Sequence, residues 1–219
     1  NVNLSTKGKS IVVQSQNGPQ KVKIDCQFNS RAFKINQGET KTTIIKGITV
    51  LNGNPMALPI GIGAAIFVED NSGIGIVDCF FVNNSKLCIS FGDNEVSGPD
   101  SYVKNSVFAD NNERCIVSSK KSFLVEDCLF THNQFNIGGN AHVANPAQFW
   151  KNCVFYCNYS NDYILALGHG KVLENSLFVN NSSNGGTVYT GTNWSGMNTV
   201  KNCTFYNNSN AYYDSRWND

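Results

Sequence analysis

One short phrase recurs along this chain, and it constrains the fold more than any other feature. It reads Val77-Asp78-Cys79-Phe80-Phe81 followed by Asn84, then Lys104-Asn105-Ser106-Val107-Phe108 with Asn111, and Glu126-Asp127-Cys128-Leu129-Phe130 with Asn133. It returns as Lys151-Asn152-Cys153-Val154-Phe155 with Asn158, Glu174-Asn175-Ser176-Leu177-Phe178 with Asn181, and Lys201-Asn202-Cys203-Thr204-Phe205 with Asn208. Each unit is a strand too short to bury its own apolar face, so it must stack on a copy of itself. Weaker copies stand upstream, Ile24-Asp25-Cys26-Gln27-Phe28 and Ile45-Lys46-Gly47-Ile48-Thr49 with Asn52. Taking the Cys, Ser or Gly as a marker gives positions 26, 47, 79, 106, 128, 153, 176 and 203. The spacing is that of one coil of a β-solenoid, which predicts about eight coils. The chain reads as a single domain over 1–219, with a lead-in over 1–20 and coils over 21–219.

Side chains alternate along a strand, so the marker and the residue two further on share one face. Stacked in register, Phe28, Phe81, Phe108, Phe130, Phe155, Phe178 and Phe205 are expected to form an interior aromatic column, offset rings suiting such a stack. The residue before the marker is Asp25, Asp78, Asn105, Asp127, Asn152, Asn175 or Asn202. Asn and Asp tolerate the left-handed conformation best after glycine, so this column reads as a repeated sharp bend. Five residues after the marker come Asn52, Asn84, Asn111, Asn133, Asn158, Asn181 and Asn208, expected to bond one another as a ladder. A second strand is expected near Leu87-Cys88-Ile89, Arg114-Cys115-Ile116, His142-Val143, Tyr163-Ile164-Leu165, Thr187-Val188-Tyr189 and Ala211-Tyr212-Tyr213. A third precedes the bend, as in Phe123-Leu124-Val125. Three short strands per coil with Gly, Asn and Ser corners describe an all-β parallel β-helix. A β-sandwich also strings short strands together, but it does not return the same side chain to the same place in each unit.

The Cys-x-Phe-x-x-Asn phrase, with small-residue strands such as Gly63-Ala64-Ala65-Ile66, resembles the right-handed parallel β-helix repeats of polymorphic outer-membrane-type proteins. The resemblance runs from about residue 20 to the end. It implies surface display and adhesion, with pectate-lyase-like enzymes as distant relatives of the same architecture.

The charge balance of +1, a charged fraction of 15% and the lack of any basic run argue against nucleic acid as a partner. No stretch approaches the roughly 20 apolar residues of a membrane span. A chain starting at Asn1 without a signal peptide reads as a mature or excised segment of a secreted, extracellular or cell-surface protein. Eight cysteines in an Asn-rich chain favour an oxidising compartment. Cys88 and Cys115 share an offset of nine from markers 79 and 106, which suggests a bridge, and Cys128 and Cys153 stack likewise. Alternatively the marker cysteines are small buried hydrophobes. Cys153-x-x-x-Cys157 has no matching pair, which argues against zinc, and no other metal or cofactor motif appears.

Asn-x-Ser/Thr sequons occur at Asn3, Asn83, Asn158, Asn180, Asn181, Asn193, Asn202 and Asn207. Asn83, Asn180 and Asn207 all stand four after a marker, an outward offset that favours N-glycans there, with Asn3, Asn158 and Asn193 as further candidates. No catalytic residue is expected. The acids Glu69-Asp70, Asp93, Glu95, Asp110 and Glu113 fall at corners of different coils. Gly168-His169-Gly170-Lys171 matches the short Gly-His-Gly signature of polygalacturonases, but the Asn-Thr-Asp and paired-Asp motifs of that family are absent. His132 reads as a substitute for a turn Asn. The residues just after the markers, Ile48, Phe80, Val107, Leu129, Val154 and Leu177, should face outward and are apolar. Such a stripe reads either as β-propensity on an exposed strand or as a covered interface. With the C-terminal Tyr212, Tyr213 and Trp217, it points to contact with copies of the same chain. The reading is a non-enzymatic, glycosylated subunit of an extracellular fibre or coat. A monomeric adhesin or carbohydrate-binding β-helix, and a pectate-lyase- or polygalacturonase-like enzyme, are the alternatives.

Overall fold

A computed structural model describes residues 3–54, 63–69, 71–92, 101–118, 122–134, 148–167, 171–190 and 198–210. Every named strand pairs in parallel with its equivalent in the next coil, giving an all-β solenoid. The first sheet stacks eight strands: Val12–Gln14, Ile44–Lys46, Gly75–Val77, Ser101–Lys104, Phe123–Glu126, Gln148–Lys151, Val172–Glu174 and Thr199–Lys201. The second, one bend later, stacks Lys23–Asp25, Thr49–Leu51, Phe80–Val82, Val107–Ala109, Leu129–Thr131, Val154–Tyr156, Leu177–Val179 and Thr204–Tyr206. The third is described in two pieces, a four-stranded one (Phe33–Ile35, Ile66–Val68, Ile89–Phe91, Ile116–Ser118) and a two-stranded one (Tyr163–Leu167, Gly186–Thr190). Among the described residues no helix is long and apolar enough to cross a membrane.

The bend works as its residue types demand. Asp78, Asn105, Asp127, Asn152, Asn175 and Asn202 all have φ between 49° and 54°, and Gly47 takes the same place with φ 66°. The marker stabilises this turn. Ser106 Oγ donates to the Lys104 carbonyl at 2.8 Å and Ser176 Oγ to that of Glu174 at 2.9 Å. The thiols of Cys79, Cys128 and Cys153 donate to Val77, Glu126 and Lys151 carbonyls at 3.2 Å. Serine and cysteine therefore alternate because both are small and both carry a donor that turns back two residues. A second left-handed corner follows the second sheet, at Asn52, Asn83, Asp110, His132, Cys157, Asn180 and Asn207.

Inside, Phe81, Phe108, Phe130, Phe155, Phe178 and Phe205 stack with centroids 4.3–5.0 Å apart and interplanar angles of 16° or less. Beside them runs the asparagine ladder. Asn111 Nδ2 donates to Asn133 Oδ1 at 2.9 Å and to the Phe81 carbonyl at 3.0 Å, while its backbone N–H also reaches Asn133 Oδ1. Asn133, Asn158 and Asn181 repeat the pattern to Asn208.

The two upstream copies sit in a different register from the one expected. Val50 pairs with Phe81 and Ile24 with Val50, so the aromatic column continues as Val50 and Ile24 while Phe28 is exposed. Thr49 pairs with Phe80, which puts Ile48, not Gly47, at the marker position and buries it. Asn52 falls on the outer corner, and Gly53 meets the ladder instead, its N–H on Asn84 Oδ1 at 2.8 Å. A Cβ at Gly53 would collide with the Ala64 carbonyl and Asn84 Oδ1.

Candidate functional site

Two outer faces stand apart from an ordinary solvated surface. The first is the outside of the second sheet. Phe80, Val107, Leu129, Val154 and Leu177 pair directly, in line with Thr49 and Thr204 at either end. Ile48, expected on this line, belongs to the core instead. A second outward column runs beside it, Leu51, Val82, Ala109, Thr131, Tyr156, Val179 and Tyr206, with Tyr206 67% exposed. The face is thus two apolar columns wide. The second column was legible two residues after the first, by strand alternation. Across the bend, the first sheet borders it with Lys46, Val77, Lys104, Glu126, Lys151, Glu174 and Lys201 in one line. Lys104 pairs with Glu126 at 2.7 Å, and Glu174 joins Lys151 and Lys201 at 2.8 Å each. The two lysines hold the Glu174 carboxyl below the usual carboxylate range.

The second face is the outside of the third sheet. Lys34, Phe67, Ser90 and Val117 share its outward line, yet Ser90 and Val117 are buried. At its first corner Arg31 lies with its guanidinium carbon 5.2 Å from the Phe67 ring centre, buried, with no acceptor at Nε or Nη1. Burial lowers its pKa, and the Glu69 charge partly opposes this. Lys34 and Glu69 pair at 2.9 Å beside it. Nothing in the local sequence marks Arg31 out; its burial depends on packing between coils.

The cysteines expected to be bridged are free thiols, as are the other four. Cys88 Sγ donates to Asn111 Oδ1 at 3.2 Å, and Cys128 and Cys153 turn to carbonyls. Neighbouring parallel strands stand about 4.8 Å apart, wider than the Cβ separation of roughly 3.8 Å a disulfide prefers. Burial pushes the Cys128 thiol up to about 12 and raises Cys88, Cys115 and Cys153 further.

Of the sequon asparagines, Asn180, Asn207 and Asn3 are exposed and Asn83 is half-buried, all in left-handed turns. Asn158 is corrected: it is a buried ladder member whose Nδ2 serves Phe130 O and Asn181 Oδ1, leaving no room for a glycan. Asn193, Tyr212, Tyr213, Trp217, Asp70, Asp93, Glu95, His142 and the triplet 168–170 lie outside the described residues. Lys171, next to that triplet, is buried, and desolvation brings its amine down to about 8. His132 occupies the left-handed corner, as a substitute for Asn should. Glu39 is a buried carboxylate accepting from Thr6 Oγ1, Ser72 Oγ and the N–H groups of Gly8 and Gln37. Among the described residues no three His, Cys, Asp or Glu side chains converge as metal ligands.

Residues 1–145 match the family model described as a right handed beta helix region. The chain belongs to the right-handed β-helix family. No curated protein and no solved structure matches it. Membership fixes the architecture of this β-helix and leaves its activity to the surface residues, because one solenoid scaffold hosts many functions.

Proposed function

We propose that this β-helix is a non-enzymatic structural protein of the cell exterior, a glycosylated subunit of a fibre or surface coat that associates with copies of itself. The observation that carries the reading is the apolar outer face of the second sheet, continuous from Phe80 to Leu177. Apolar stripes of this length are normally covered by a partner. Most of the described carboxylates serve structure: Glu69, Asp78, Glu113, Glu126 and Glu174 pair with lysines, Glu39 sits in its cage, and Asp25 and Asp127 bond Asn52 and Asn152. That leaves few of the described acids for the paired-carboxylate chemistry of a polysaccharide-cleaving enzyme.

Electron microscopy of material from the native source, with peptide mapping of Asn83, Asn180 and Asn207, tests the proposal. Ordered assemblies and occupied sequons are expected. A dispersed, unglycosylated monomer that degrades polyuronates would overturn it.

Arg31 favours a second reading, an adhesin that takes an acidic group at the third sheet. A buried guanidinium with two unmet donors calls for an acceptor. Binding of acidic glycans that is lost in Arg31→Gln is the expected mark of that reading.

A further inference from the structure

The outer face of the second sheet and the charge ladder beside it are self-complementary in only some arrangements, and this selects a mode of pairing. We infer that two copies pack these faces together antiparallel, about a two-fold axis lying between the Leu129 and Val154 rungs. The inference rests on the structural reading above and specifies the partner of that same face.

Such an axis reverses the order of rungs. Leu129 then faces Val154 of the second copy, Val107 faces Leu177, and Phe80 faces Thr204. In the neighbouring column Thr131 faces Tyr156, Ala109 faces Val179, and Val82 faces Tyr206. The bulky residues Phe80, Tyr156 and Tyr206 each meet a smaller one, as a close-packed interface requires. The ladder follows the same operation. Lys104 comes opposite Glu174 of the second copy, and Glu126 opposite Lys151, so the charges flanking the apolar strip are paired in sign.

Antiparallel axes that pass through a rung lose this match. Moving the axis onto the Leu129 rung sets Lys104 against Lys151. Moving it onto the Val154 rung sets Glu126 against Glu174. An axis between the Val107 and Leu129 rungs keeps opposite charges together but brings Lys23 and Asp25 of the first rung against Thr204 and Tyr206. A parallel two-fold instead sets the ladder against the outer corner column of Asn52, Asn83, Asp110, His132, Cys157, Asn180 and Asn207, where only Asp110 carries a fixed charge. The antiparallel overlap runs from the Phe80 rung to the Thr204 rung, five steps or about 24 Å. An isologous contact of this kind closes on two copies.

The test uses the secreted full chain with its glycans. Sedimentation should show a dimer, and Leu129→Lys should raise its dissociation constant at least about tenfold while circular dichroism stays that of the folded solenoid. Orientation is read by disulfide trapping. Chains carrying Phe80→Cys mixed with chains carrying Thr204→Cys should cross-link, while Phe80→Cys chains alone should not, since those positions lie about five rungs apart in the antiparallel pair. Cross-linking of Phe80→Cys chains with themselves overturns the orientation. A monomer at about 100 μM, a dimer that forms only after glycan removal, or a dimer indifferent to Leu129→Lys overturns the inference. Fibres that persist with Leu129→Lys would sink this face as the contact and leave the structural reading standing.

Discussion

At the scale of single residues, the repeat positions earn their identities through different forces. The aromatic column is held by burial: Phe130 lies between Phe108 and Phe155 with rings 4.8 and 5.0 Å away. Phe130→Ala should cost about 3–5 kcal/mol by leaving a cavity that rigid neighbouring coils cannot close, measured by denaturant unfolding. The cysteines are held by desolvation and a weak donor bond, so they should resist alkylation in the folded state. Thiol titration under native conditions should find only Cys157 and Cys203 within reach, and all eight after unfolding without reductant. Glu39 gives a pH signature. Burial raises its pKa, but the N–H groups of Gln37 and Gly8 and the Thr6 hydroxyl outweigh that and hold it at about 2, against 4.5 for the free group. The unfolded chain therefore takes up this proton first as pH falls. The contribution is full above about pH 4.5 and is lost as pH drops towards about 2. Glu39→Gln should lower stability at pH 7 and flatten the acid limb of a stability–pH curve.

At the scale of the element, the unit is a strand–bend–strand whose corner is closed by its own side chains. Asn152 has φ 53°, and its Nδ2 bonds Asp127 Oδ1 at 3.1 Å. Asn152→Gly should be nearly neutral, since glycine adopts the same φ without strain. Asn152→Val should cost about 1–2 kcal/mol or more, because a β-branched side chain resists the left-handed region. Comparing the two by thermal unfolding separates backbone conformation from the lost hydrogen bond. The bend column, the ladder and the aromatic stack were legible in the sequence from residue 77 onward. There the side chain at each position reports directly on its local task. The first two coils were misregistered because Ile24, Ile48 and Val50 satisfy the same burial without the diagnostic Cys, Ser or Phe. Cys26 and Phe28 offered a false match one corner too late.

At the scale of the whole molecule, each coil touches only its neighbours, so stability is a sum of coil-on-coil contacts. The middle rungs carry buried rings on both sides, whereas Ile24 and Phe205 at the two ends are half-covered. Hydrogen exchange should be slowest for the strands from Phe80–Val82 to Leu177–Val179 and faster in the first and last strands of the same sheet. Uniform protection from end to end would show that covered ends, not the middle of the stack, set the stability.

The sequence by itself determined the parallel solenoid, its bends, its ladder and one outer apolar column, because these follow from side-chain identity repeated at constant offset. Only the tertiary structure decided what depends on which coil lies beside which. It placed Ile48 inside, left the stacked cysteines unbridged, and buried Thr49, Asn158 and Arg31. Those outcomes turn on separations of a few ångströms between residues more than 20 apart in the chain, and no local pattern encodes such distances.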